Sequence, residues 1–181
     1  MSLSLPRASR HTGVVAVGVT LLAVLGLLGP GGAAPAHAYE CGTFNNVAIH
    51  SADTNLAVAL PKPYNVNGTR PIMWGYWGGL NQRWCAVPTG NRIFAFRNIM
   101  SDKCLTADGT ATSDTIVNQQ TCVSGSTKQQ WAESNVPLGW ALRNLRTGGC
   151  LDVVEKNKDP GALLQTWGCN YSAWNQSWVY R

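Results

Sequence analysis

Residues 150–178 hold a set of side chains suited to recognising a neutral polyol. They read Cys150-Leu151-Asp152-Val153, then Gln165-Thr166-Trp167-Gly168-Cys169, then Asn175-Gln176-Ser177-Trp178. A carboxylate such as Asp152 accepts two hydroxyl hydrogens at once, and the amides of Gln165, Asn175 and Gln176 donate and accept together. A charged acceptor makes each of those bonds shorter and stronger than a neutral one. The indole of Trp167 offers a broad flat face for the apolar C–H side of a pyranose. Alone, Asp152 reads as a turn aspartate; with Trp167 and Asn175 in register it reads as part of a sugar pocket.

Other chemistries are poorly supplied. Glycoside hydrolysis usually needs two carboxylates across one pocket. Beyond residue 38 the acids are Glu40, Asp53, Asp102, Asp108, Asp114, Glu133, Asp152, Glu155 and Asp159. Only Asp152 and Glu155 are close in sequence, and a spacing of three on a strand and turn does not set them face to face. One histidine past the leader, His50, and no G-x-S-x-G motif argue against a nucleophilic triad. No C-x-x-C spacing occurs, so neither a metal nor a cofactor is expected. Twelve Lys and Arg against nine acids leave residues 39–181 near +3, with no basic run, so the electrostatic footprint of a nucleic-acid binder is missing.

The elements that must position the site come from an internal repeat. Gln82-Arg83-Trp84, Gln129-Gln130-Trp131 and Gln176-Ser177-Trp178 recur at intervals of 47 residues. Arg97-Asn98 and Arg143-Asn144 recur 46 apart, as do Cys104-Leu105 and Cys150-Leu151. Strand-length runs such as 94–97, 140–143 and 163–167 alternate with Gly, Asn, Asp and Ser clusters, and no long stretch has a helical period. Four short strands in each of three repeats (about 41–87, 91–134 and 138–181) give an all-β chain of about twelve strands. Trp84, Trp131 and Trp178 recur in every repeat and are expected in the core, with their glutamines bonded to backbone.

All six cysteines lie in the repeats, and an even count in an exported domain reads as disulfides. Six cysteines allow 15 pairings. Repeat symmetry pairs Cys104 with Cys122 and Cys150 with Cys169, which leaves Cys41 for Cys85. Each bond should contribute roughly 2–4 kcal/mol by restricting the unfolded chain.

Residues 1–38 read as a secretory signal peptide. Arg7, Arg10 and His11 form a basic start, 14–28 is an almost unbroken apolar run, and Ala36-His37-Ala38 fits a small-x-small cleavage site. The apolar run is shorter than the roughly twenty residues that cross a bilayer. A single domain over 39–181, secreted and without membrane insertion, is the expectation.

Three Q-x-W tripeptides in period, a C-L-D-V start and a Q-x-W-x-C middle resemble the ricin B-type lectins. The resemblance implies a β-trefoil, with three pseudo-symmetric repeats, six strands in a barrel and six capping it. It also implies a non-catalytic lectin for galactose-type sugars, whose partners are galactose-containing glycans or polysaccharide. The family's binding positions fall on Asp152, Gln165, Trp167 and Asn175, with Gln176 behind them. In the second repeat Thr106, Asn118 and Gln120 replace the aspartate, glutamine and aromatic, and that pocket is expected to be inactive. The first repeat aligns Ala57 with the aspartate and Ile72 with the glutamine, while keeping Trp74 and Asn81-Gln82. An alternative function is a protein-binding trefoil, such as a toxin delivery subunit or an inhibitor, which the aromatic stretch Trp74, Tyr76, Trp77 would favour. A small glycosidase is the weaker alternative.

Overall fold

The computed structural model describes Cys41 and residues 45–181. The expected signal peptide and the start of the mature chain lie outside the described residues. The strands are β1 Asn45–Val47, β2 Ile49–Ser51, β3 Leu56–Ala59, β4 Ile72–Gly75, β5 Trp84–Gly90, β6 Ile93–Asn98 and β7 Lys103–Ala107. They continue as β8 Thr115–Thr121, β9 Trp131–Val136, β10 Gly139–Asn144, β11 Cys150–Val153, β12 Leu164–Trp167 and β13 Trp178–Tyr180. Four single 3₁₀ turns accompany them: Leu80–Gln82, Thr127–Gln129, Val154–Lys156 and Trp174–Gln176. Among the described residues no α-helix is present.

All pairings are antiparallel. β5, β6, β9, β10 and β13 follow one another by hydrogen bonding. β2 then pairs with β13 and β1 with β5, which closes a barrel. Closure pairs each barrel strand on both sides, which removes the free edges an open sheet would present. Three hairpins, β3–β4, β7–β8 and β11–β12, cap it. β8 pairs with β12, and Ile72 bridges to Leu163, so neighbouring hairpins brace each other. The result is a β-trefoil of three pseudo-symmetric units. The thirteenth strand arises because one barrel strand is divided at Ala48. That buried residue turns its backbone to the chain's end, with Ala48 N donating to Arg181 O at 2.7 Å and Arg181 N to Ala48 O at 3.1 Å.

The repeated tripeptides do the same work three times. Trp84, Trp131 and Trp178 are fully buried. Each indole Nε1–H donates to a carbonyl of its hairpin, Val58, Leu105 and Leu151, at 3.1 Å in every case. The ring fills the barrel end while its one polar atom stays satisfied, which an apolar core requires. Each glutamine clamps the end of the same hairpin through two backbone bonds. Gln82 donates to Gly75 O and accepts from Trp77 N; Gln129 does so with Thr121 and Val123, and Gln176 with Gly168 and Asn170. Asn98 and Asn144 explain the Arg-Asn repeat: their Oδ1 atoms accept two successive backbone N–H groups of the following turn.

Ile49, Phe96 and Leu142 from the barrel meet Val58, Leu105 and Leu151 from the hairpins in one core cluster. Gly139, at φ 143°, brings β10 so close to the Trp178 carbonyl that any Cβ there would collide with it. Disulfides join Cys41 to Cys85, Cys104 to Cys122 and Cys150 to Cys169, with Cα separations of 5.3, 5.0 and 5.0 Å. The last two tie the start of β7 or β11 to the segment following its partner strand.

Candidate sugar-binding site in the third repeat

The hairpin register assembles the site. Asp152 of β11 stands directly opposite Gln165 of β12, and Cys150 opposite Trp167. The Trp174–Gln176 turn then carries Asn175 and Gln176 under the hairpin. The bond from Trp178 to the Leu151 carbonyl fixes the residue preceding Asp152.

Asp152 is almost completely buried, at 3% exposure. Its Oδ2 accepts from Asn175 Nδ2 at 2.6 Å and Gln176 Nε2 at 2.9 Å, and its Oδ1 accepts from Gln165 Nε2 at 3.0 Å. A carboxylate offers about four lone-pair sites, so one site, on Oδ1, is left open. Three amides thus engage Asp152 and fix its orientation, and Gln176 steadies it as the sequence suggested. Burial pushes its carboxyl above the ordinary carboxylate range, and the Gln165 and Gln176 hydrogen bonds and the Lys156 charge hold it back.

The remaining polar atoms are unequal. Gln176 spends its amide on Asp152, the Gly168 carbonyl and the Asn170 N–H, so it supports from behind. Asn175 donates to Asp152 and to the Val153 carbonyl, but its Oδ1 is buried and accepts from no described residue. Trp167 remains 43% exposed at the cleft. The cleft encloses about 510 Å³ and brings together Asp152, Gln165, Trp167, Asn175 and Gln176.

Among the lining residues that sequence reading missed are three charged ones, Asp114, Glu155 and Lys156. Asp114 belongs to the neighbouring repeat and arrives because β8 pairs with β12, a non-local contact with no signal in the third repeat itself. Glu155 and Lys156 both have left-handed backbone, at φ 54° and 53°. Such positions are uncommon for residues with a Cβ and cluster at functional sites.

The other repeats provide a comparison. In the second, Thr106 stands at the place of Asp152 and turns inward, donating to the Cys104 carbonyl and accepting from Gln129. Asn118 and Lys128 are bonded to Asp108 instead. In the first, the sequence alignment is displaced by two residues. The carbonyl that receives the Trp84 indole is Val58, so Ala59, not Ala57, occupies the aspartate's place. Ala59 faces Ile72 in the register where Asp152 faces Gln165.

Residues 80–167 match the family model described as ricin-type beta-trefoil lectin domain-like. Over that stretch the chain is similar to a ricin-type β-trefoil lectin domain. Solved structures agree on the fold. A designed threefold-symmetric protein, ThreeFoil, is 26% identical with a TM-score of 0.68, covering 75% of this chain and 96% of its own. The C-half of an earthworm R-type lectin, solved with GalNAc, is 18% identical with a TM-score of 0.61, covering 75% and 97%. An exo-beta-1,3-galactanase from Clostridium thermocellum is 20% identical with a TM-score of 0.69 over 76% of this chain but only 30% of its own, so the likeness spans a minor part of that enzyme. No curated protein matches the chain. The fold is thus shared with the C-half of a lectin and with part of an enzyme.

Proposed function

We propose that this protein is a secreted, non-catalytic lectin that takes a galactose-type sugar in the third-repeat cleft. The observation that carries the reading is the pre-oriented Asp152, held by three amides beside the exposed face of Trp167. Two buried acceptors, the open lone pair of Asp152 Oδ1 and Asn175 Oδ1, await donors. Adjacent hydroxyls of a galactose-type ring supply two O–H donors on one side, while its C–H face lies on the indole. The second N–H of the Gln165 amide then donates to a ring oxygen. An apolar ligand would leave both acceptors unsatisfied, at about 1–3 kcal/mol each.

Asp152 serves here as an acceptor; burial raises its pKa, and the Gln165 and Gln176 hydrogen bonds and the Lys156 charge oppose that rise. The three disulfides suit an oxidising extracellular setting, in keeping with a leader at 1–38 and a mature domain at 39–181. Retention on immobilised galactose, released by free galactose, tests the proposal. A chain that passes through unretained refutes it.

A further inference from the structure

The first repeat keeps the frame of the sugar cleft but inverts its chemistry. Its cleft, about 270 Å³, is lined by Ala59, Pro61, Tyr64, Ile72, Trp74, Trp77 and Asn81 among others. Trp74 and Asn81 hold the places of Trp167 and Asn175, while Ala59 and Ile72 replace the carboxylate and the glutamine. Asn81 repeats the arrangement of Asn175. Its Nδ2 donates to the Leu60 carbonyl at 2.9 Å, and its Oδ1 is buried and accepts from no described residue, on a side chain only 7% exposed.

The aromatics are held in place. Trp77 is 67% exposed, yet its backbone N–H is fixed by Gln82 Oε1 at 3.0 Å. Its ring lies directly on the bare Cα of Gly79, where any side chain would fall inside the indole. Gly79 has φ −66° and ψ 150°, an extended conformation open to any residue, so a side chain there would act by displacing the Trp77 ring from its seat. A solvent-facing tryptophan seated on a glycine is a platform, and exposing it costs apolar hydration until something covers it.

From this we infer a second binding site, selective for gluco-configured pyranoses with all hydroxyls equatorial. Such a ring has two apolar C–H faces and a rim of hydroxyls. Its faces suit Trp74, Trp77 and Tyr64, and one rim hydroxyl satisfies Asn81 Oδ1. The axial hydroxyl of a galactose-type ring would be pressed against this apolar surface, with neither Asp nor Gln to receive it, and that desolvation is unfavourable. A wholly apolar ligand leaves Asn81 Oδ1 unpaired. The site stands on first-repeat residues alone and does not depend on the third-repeat proposal.

Calorimetry on the disulfide-intact protein with cellotetraose and with galactose tests the inference. Expected are two independent bindings, neither sugar displacing the other. Trp77→Ala and Gly79→Ala should each weaken cellotetraose at least about tenfold and leave galactose unchanged. Asp152→Asn should leave cellotetraose unchanged. Absence of cellotetraose binding by the unaltered chain, its displacement by galactose, or its survival in Trp77→Ala overturns the inference.

Discussion

Replacing Asp152 by asparagine separates binding from stability, because the carboxylate does both jobs through different lone pairs. In the native site Oδ2 receives two amides and Oδ1 one, leaving a single acceptor position toward the cleft. The substituted amide has one oxygen and one NH₂. Its best placement keeps the oxygen toward Asn175 and Gln176, whose donors are both spent there. The NH₂ then faces Gln165, which can rotate to present its own oxygen, and also faces the cleft. The internal network survives with neutral bonds in place of charge-assisted ones, a loss partly offset because a buried charge no longer needs to be desolvated. Stability should change by no more than about 1 kcal/mol, or roughly 3–5 °C in Tm. The position proposed to receive a sugar hydroxyl becomes a donor, so affinity should fall by about 1.5–3 kcal/mol, roughly ten- to 150-fold. Asp152→Ala is the contrast: three amide donors are left in a buried place, and stability should fall by about 3 kcal/mol or more. Calorimetric titration with galactose beside a thermal melt reads both quantities. Undiminished galactose binding by the asparagine variant would refute the assignment of the site.

Trp167→Ala should abolish measurable galactose binding while leaving the melt nearly unchanged, since the ring is half exposed. Thr106→Ala should leave binding unaltered but cost about 1 kcal/mol, because Gln129 loses an acceptor. Trp131→Ala, which touches no sugar site, should destabilise the fold by about 3–5 kcal/mol, as truncation of a large buried aromatic does; a chemical-denaturation curve checks it. Acidification should switch the third-repeat cleft off. The folded Asp152 carboxyl binds its proton more tightly than the unfolded one, so affinity should be full above its raised pKa and disappear as pH falls through it. The midpoint should lie above the ordinary value of about 3.9, and a pH series of galactose titrations locates it.

The period of the Q-x-W tripeptides made the three units and the all-β architecture legible, because each repeat needs the same indole and the same glutamine clamp. The third-repeat residues were legible for a related reason: Asp152 and Gln165 are cross-strand partners in a short hairpin bounded by cysteines. The first repeat was misaligned by two residues because its disulfide lies outside the hairpin, from Cys41 to Cys85, leaving no internal cysteine to mark where β3 begins. Asp114 was hidden because it enters from the adjacent repeat. The sharing of Asp152 among three amides is a matter of angles and distances between side chains 13, 23 and 24 residues away, and residue types alone do not specify it. Nor does composition reveal the division between β1 and β2, which follows from Ala48 reaching across to Arg181.

That reach across Ala48 has a consequence for how the domain comes together. The hairpins form between residues close in sequence, but the ring is sealed only when Trp178–Tyr180 lies against Ile49–Ser51, a loop closure of more than a hundred residues that carries a large entropic cost and comes late. Until then the opening segment is an unpaired edge. Because the sealed ends sit side by side, which of the three units opens the chain is topologically arbitrary. A chain joined from Arg181 back to Cys41 by a short flexible linker, which keeps the Cys41–Cys85 disulfide, and reopened in the turn between β9 and β10, should build the same barrel with its seam moved one unit along.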